Sequence, residues 1–177
     1  MIQGERTRLR RIEKDDLPRC VQWLNDPEVR DGLALYYPVS QAFEEQWFSS
    51  SLQREPALQP FVIEATTESA RIPIGVASLH EIDWRNRSAQ LGIFIGDKAF
   101  WGRGYGTDAL RTLVRWSFGE LNLHRTWLKV YEDNARAIRS YQKVGLRQEG
   151  RLREDRFHGS RYYDTLVMGV LRTEFER

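Results

Sequence analysis

The stretch Phe100-Trp101-Gly102-Arg103-Gly104-Tyr105-Gly106-Thr107 constrains this chain more than any other. A nearly continuous apolar run over residues 89–95 precedes it and reads as a buried strand. An amphipathic pattern follows over residues 107–119, with Ala109, Leu110, Leu113, Val114, Ser117 and Phe118 as the inner stripe of a helix. Strand, glycine loop and helix start therefore form one unit. Glycines let the backbone turn sharply and bring its N–H groups close to a ligand. The first turn of the helix adds unpaired N–H groups and a positive dipole end, which together favour a phosphate or pyrophosphate. Arg103 places a mobile positive charge beside them. Gly92 and Gly96, in and just after the strand, mark points where the backbone bends or is approached closely.

Two common phosphate-binding patterns do not fit. A Walker loop needs Gly-Lys-Ser or Gly-Lys-Thr at the helix start, and here the residues are Gly106-Thr107-Asp108. The dinucleotide fingerprint G-x-G-x-x-G belongs to an early parallel unit, whereas this loop is G-x-G-x-G, deep in the chain.

The rest of the chain supplies the context. Residues 7–12 alternate as a first, partly exposed strand, and Asp15-Asp16-Leu17-Pro18 starts a helix that Asn25-Asp26-Pro27 ends. Ser40 caps a second helix, with Phe43, Trp47, Phe48 and Leu52 at helical spacing. Residues 61–65 and 74–79 read as a hairpin, and residues 126–131 as a later strand. Asn134 caps a helix whose inner face is Ala137, Ile138, Tyr141 and Val144, and Gly145 stops it. Two final strands join through His158-Gly159-Ser160. This order implies a mixed α/β sheet with helices on its faces.

A length of 177 residues with 41% hydrophobic and 12% aromatic residues fits one domain over residues 1–177 with a substantial core. The 27 basic residues exceed the 25 acidic ones by only two, a weak pull on nucleic acid. Arg147, Arg151, Arg153, Arg156 and Arg161 near the last hairpin are interleaved with acids, so no nucleic-acid partner is expected. No window is apolar enough to span a membrane, and the first residues lack a signal-peptide run. The lone cysteine, Cys20, fits a reducing compartment. The expectation is a soluble, cytoplasmic protein. His80, His124 and His158 show no triad or metal spacing, so no metal is expected.

Two motifs together resemble a known family. Residues 103–110 look like the acyl-CoA-binding motif of the GNAT N-acetyltransferases. The run Asn134-Ala135-Arg136-Ala137-Ile138-Arg139-Ser140-Tyr141-Gln142-Lys143-Val144-Gly145-Leu146 is similar to the family's second signature. The opening strand, the Asn25-Asp26-Pro27 turn and the closing hairpin resemble its RimJ/RimL-like branch, which acts on ribosomal proteins. Trp101 stands where the family motif usually begins with Arg or Gln, leaving the pyrophosphate mainly to backbone N–H groups from Arg103 to Thr107.

The resemblance implies a mostly antiparallel sheet of about seven strands with helices on both faces and a splayed cleft for acetyl-CoA. It places Phe94, Ile95 and Gly96 against the pantetheine amides, and Trp101, Gly102, Arg103, Gly104, Tyr105, Gly106 and Thr107 around the pyrophosphate. Asn134 and Arg139 would bind the cofactor arm. Tyr141 matches the tyrosine that donates to the departing thiolate. The position where many members carry a glutamate base is Gln90, which cannot accept a proton, so no base is assigned. Tyr36, Tyr37, Trp84 and Gln90 are candidates for the acceptor side, for a peptide α-amine or small primary amine attacking directly. The alternative that Gln90 keeps open is a non-catalytic acyl-CoA sensor. A homodimer is the expected assembly by analogy with the branch.

Overall fold

The apolar stripe between Ala109 and Phe118 has to be covered, and a sheet covers it. The computed structural model describes residues 1–175. Its strands are β1 (Ile2–Gln3), β2 (Thr7–Arg11), β3 (Phe61–Thr66), β4 (Arg71–Asp83), β5 (Ser88–Ile95), β6 (Arg125–Tyr131), β7 (Arg147–His158) and β8 (Arg161–Leu171). They form one sheet in the order β1-β2-β3-β4-β5-β6-β8-β7. Every neighbouring pair is antiparallel except β5 with β6. The helices are α1 (Leu17–Asn25), α2 (Pro27–Arg30), α3 (Gln41–Leu52), α4 (Tyr105–Gly119), α5 (Ala135–Val144) and α6 (Arg172–Phe175). The eighth strand is β1, whose two residues carry no periodicity for a sequence reading to detect.

Alternation along the strands creates two packing faces. On one face Leu79, Ala89, Leu91, Leu128 and Val130 meet the stripe of α4 and the inner residues Ala137, Ile138, Tyr141 and Val144 of α5. On the other, Val62 and Val76 with Phe94 meet Leu17, Cys20 and Trp23 of α1 and Trp47 and Phe48 of α3.

The expected stripe of α3 is only half right. Trp47 and Phe48 pack inward, but Phe43 and Leu52 are exposed. The inward positions are Glu44, Trp47, Phe48 and Ser51, the i, i+3, i+4, i+7 set one residue round the helix. Two of those four are polar, so hydrophobicity alone points to the wrong face. Burial pushes the Glu44 carboxyl above the usual carboxylate range.

Helix α4 begins two residues earlier than its apolar pattern suggests, with Gly104 as N-cap in the left-handed region at φ +87°. Its first turn is locked by Asp108, buried at 4% exposure. The Asp108 carboxylate accepts from the N–H groups of Glu5 at 3.2 Å, Arg6 at 3.0 Å and Thr7 at 2.8 Å, and from Thr7 Oγ1 at 2.6 Å. One acid thereby satisfies the tight turn before β2 and fixes the helix start against the sheet. Asp108→Ala leaves the buried Thr7 N–H and hydroxyl and the partly buried N–H groups of Glu5 and Arg6 without their acceptor, and should cost about 2–4 kcal/mol. Urea unfolding checks this; a loss below about 1 kcal/mol would mean water replaces the carboxylate.

Candidate active site

Strands β5 and β6 stay paired for only three positions, Ser88 with Arg125, Ala89 with Thr126 and Gln90 with Trp127. Beyond Gln90 they part. β5 continues along β4 up to Ile95, while β6 continues along β8 up to Tyr131. The Gly96 N–H donates to the Ile74 carbonyl at 2.8 Å, which sets the parity of the β4–β5 ladder. The backbone groups of Gly92, Phe94 and Gly96 therefore face β4, and those of Ile93 and Ile95 face the opening.

This corrects part of the expected set. Phe94 and Gly96 cannot offer their N–H groups to a ligand. Ile95 can, and Ile93, absent from the sequence expectation, joins it by the same alternation. Phe94 is still a lining residue of the opening, while its ring packs edge-on to Trp23. Gly96 instead lies under the Trp23 ring, with no room for a Cβ.

The opening is a cavity of about 470 Å³. Its wall includes Trp101, Gly102, Gly104, Gly106 and Thr107 with the cations Arg136, Arg139 and Lys143. Gly102 and Gly104 have φ of +70° and +87°, and a Cβ on Gly102 would meet nothing within 4 Å. The N–H groups of Tyr105, Gly106 and Thr107 lie in the first turn of α4, where no carbonyl four residues back reaches them. The Trp101 indole donates to the Ile95 carbonyl at 2.7 Å, and the Arg136 guanidinium lies 3.5 Å from its ring centroid. Thr107 Oγ1 and Ser140 Oγ are 2.8 Å apart, tying α4 to α5.

The side chains of Arg103 and Tyr105 do not line the cavity. The Tyr105 ring packs edge-on to Phe100 and under Arg6, whose guanidinium also donates to the Arg103 carbonyl. Asn134 lines it, but its Oδ1 is committed to the Ala137 N–H at 3.1 Å as the cap of α5. Arg139 lines it as expected. Arg136 and Lys143 were missed, although their spacing from Arg139 along α5 puts all three near one face.

Tyr141 also lines the cavity. Burial pushes its phenol up to about 12, with nearby Arg136 pulling the other way. Gly32 and Leu33 line the cavity too, together with the carboxylates Glu28, Asp31 and Asp133, of which Glu28 lies near Arg136. Lys98 pairs with Glu28 at 2.8 Å, His158 with Asp31 at 3.2 Å and Arg156 with Asp133 at 3.5 Å.

The acceptor-side candidates scatter. Tyr37 is exposed and off the cavity wall, and Tyr36 is exposed beside Tyr131, whose phenol is pushed up by burial and by that neighbour. Trp84 sits in the β4–β5 turn at the opposite end of β5, its indole 3.2 Å from Glu55 Oε2. That turn lies beyond the paired segment, so Trp84 does not reach the opening. Gln90 is the last residue before the strands part.

Residues 6–147 match the model of the acetyltransferase (GNAT) domain. The chain belongs to the GNAT acetyltransferase family. It is an N-acetyltransferase that takes its acetyl group from acetyl-CoA. It is 29% identical to the spermidine N(1)-acetyltransferase of Vibrio cholerae, over 94% of this chain and 94% of that protein. It is 31% identical to the putative ribosomal N-acetyltransferase YdaF of Bacillus subtilis, over 98% and 95% respectively. The crystal structure of the Vibrio cholerae spermidine N-acetyltransferase in complex with CoA and spermine aligns with a TM-score of 0.86. That alignment has 27% identity and covers 98% of this chain and 100% of that one.

The residues present fit the donor. Ile93 and Ile95 leave amide groups without strand partners in the opening, and the glycine loop leaves N–H groups free beside open space. Gly104→Ala puts a Cβ on a left-handed residue, a cost of about 1–2 kcal/mol. Relaxing that strain would turn the helix-start N–H groups away, so the Kd for CoA should rise about 10-fold by calorimetry. An unchanged Kd would remove the loop from the binding site.

Proposed function

We propose that this N-acetyltransferase acts on a small amine that is cationic at neutral pH, with polyamines as the acceptor class. The observation that carries this reading is that one cavity wall holds both signs of charge: Arg136, Arg139, Lys143 and the first-turn N–H groups of α4, and the carboxylates Asp31 and Asp133, whose segments Arg156 joins. A pyrophosphate suits the first and an ammonium group the second. The segment 33–38 contains no acid. The carboxylates come instead from just before it and from the start of α5. The spermidine-acetylating relatives support the same reading, while the RimJ/RimL-like assignment would make a protein N-terminus the acceptor. On this reading residues 1–177 act as one catalytic unit.

The chain's own groups fill most of the roles. Arg136, Arg139, Lys143 and the first-turn N–H groups of α4 hold the phosphates. Ile93 and Ile95 pair with the amides of the arm, and an N–H facing the opening polarises the thioester carbonyl. Asp31 and Asp133 hold the ammonium groups of the acceptor. The Tyr141 hydroxyl donates a hydrogen bond to the sulfur as negative charge builds there. A phenol near 12 stays protonated far above the ~8.5 of an ordinary thiol, so the donor is present across the working pH range. Transfer is direct, because Cys20 is buried on α1 and its thiol is pushed up to about 12, chiefly by burial.

A thiol-release assay with spermidine, spermine and a serine-initiated peptide tests the acceptor class. Turnover with the polyamines is expected; turnover with the peptide alone would sink the proposal and favour a protein N-terminus. Tyr141→Phe should lower kcat by about 10- to 100-fold while leaving the KM for acetyl-CoA within about twofold. Equal turnover by the variant would take Tyr141 out of the chemistry.

A further inference from the structure

We propose that Ser78 and His80 on β4 form the relay that takes the proton from the acceptor amine. Ser78 lies directly across from Gly92 and His80 directly across from Gln90. Residues 76, 78 and 80 of β4 and 90, 92 and 94 of β5 share one face, opposite the face that carries α4. Ser78 Oγ and His80 Nε2 are 2.8 Å apart.

Gly92 is what lets this pair lie against β5 beside the fork; the cavity wall itself takes up β5 from Ile93 on. A Cβ at position 92 would stand 2.6 Å from His80 Nε2 and 3.0 Å from Ser78 Oγ. The two polar atoms therefore lie flat on the β5 backbone, in the space a side chain would occupy. They sit one residue before Ile93, where the strands have parted and the cavity begins. Ser78 is the nearer of the two to the opening, since the next residue on its face, Val76, lies across from Phe94. The exposed His80 is the outer member, in contact with solvent.

The surroundings leave the imidazole able to accept. Desolvation of the ring on the side that lies over β5, with the Arg54 guanidinium after α3, holds it below its ordinary value, against the opposing pull of Glu81 on its own strand. Gln90 on the facing strand carries no charge. His80 is therefore neutral at neutral pH.

The step balances within the pair and the amine. The ammonium passes one proton to Ser78 Oγ as the Ser78 hydroxyl proton moves to His80 Nε2. The amine is left neutral, with a free electron pair, and the imidazole becomes imidazolium, which discharges to water. Gln90 stands where a carboxylate base is expected, and this pair supplies the function it lacks. The inference rests on the amine-acetylation reading above.

His80→Gln and Ser78→Ala test it with spermidine as probe. Both should lose about 100-fold in kcat/KM for spermidine near neutral pH, with the KM for acetyl-CoA within about twofold. The defect should shrink as pH rises, because free amine then forms without a relay. In wild type, kcat/KM should fall as pH drops through the His80 midpoint, which NMR titration of the ring should place below 6.5. Variants with wild-type rates and pH profile, or a midpoint above neutrality, would overturn the relay alone. Failure of the wild type to acetylate any amine would overturn the acceptor reading and the relay with it.

Discussion

The site depends on the parting of β5 from β6 after Gln90. Each strand keeps its outer partner, β4 for one and β8 for the other, so the sheet loses no edge. What it loses is a row of inner pairings, and unpaired backbone groups away from water are expensive. The Trp101 indole answers one of them by donating to the Ile95 carbonyl. A ligand with amides along its arm answers others. The fork is therefore a defect in the sheet that a particular kind of ligand repairs, and the neighbouring elements hold it in that form. Asp108 fixes the start of α4 on one side, and the Thr107–Ser140 contact fixes α5 to it.

A second organiser sits beside the carboxylates. Arg156 of β7 is only 4% exposed. It donates to the Asp31 carbonyl at 2.7 Å, lies 3.5 Å from the Asp133 carboxylate and packs 4.0 Å from the Tyr131 ring centroid. One guanidinium thus joins the closing hairpin, the segment after α2 and the entry to α5. Burying a charge this way adds little net stability. Its effect is positional: it keeps two carboxylates apart and aimed at one cavity. Two of the other hairpin arginines are taken up by neighbouring acids, Arg147 by Glu174 and Arg151 by Glu132 and Asp164, and Arg161 stacks on the Tyr163 ring.

Much of this was legible before any coordinates. The stripe of α4, the caps of α5 and the glycine loop are local features, and local rules read them correctly. The missed features are non-local. Nothing in residues 28–31 marks Asp31 as a neighbour of Asp133, because a hairpin more than a hundred residues later brings them together. The exclusion of Phe94 and Gly96 follows from strand parity, which only the β4 register fixes. On α3 the inward face carries Glu44 and Ser51, so a rule that ranks residues by hydrophobicity rotates the helix by one position. Trp84 was grouped with Tyr36 by residue type, and the length of β5 separates them.

The same parity separates the two proton movements of acetyl transfer. Tyr141 packs on the core beneath α4 and α5, on the side of Leu91 and Leu128. Ser78 and His80 lie on the other face of the sheet, toward α1 and α3. On the proposed roles, the leaving sulfur and the entering amine are served from opposite sides of β5, beside the fork. A phenol near 12 buried on one side and a lowered imidazole on the other cannot neutralise each other directly. That arrangement suits direct transfer, in which both partners are bound at once and no acyl group rests on the chain. It also gives Gly92 a physical reason to lack a side chain: any Cβ there would push the proton-accepting pair off the strand.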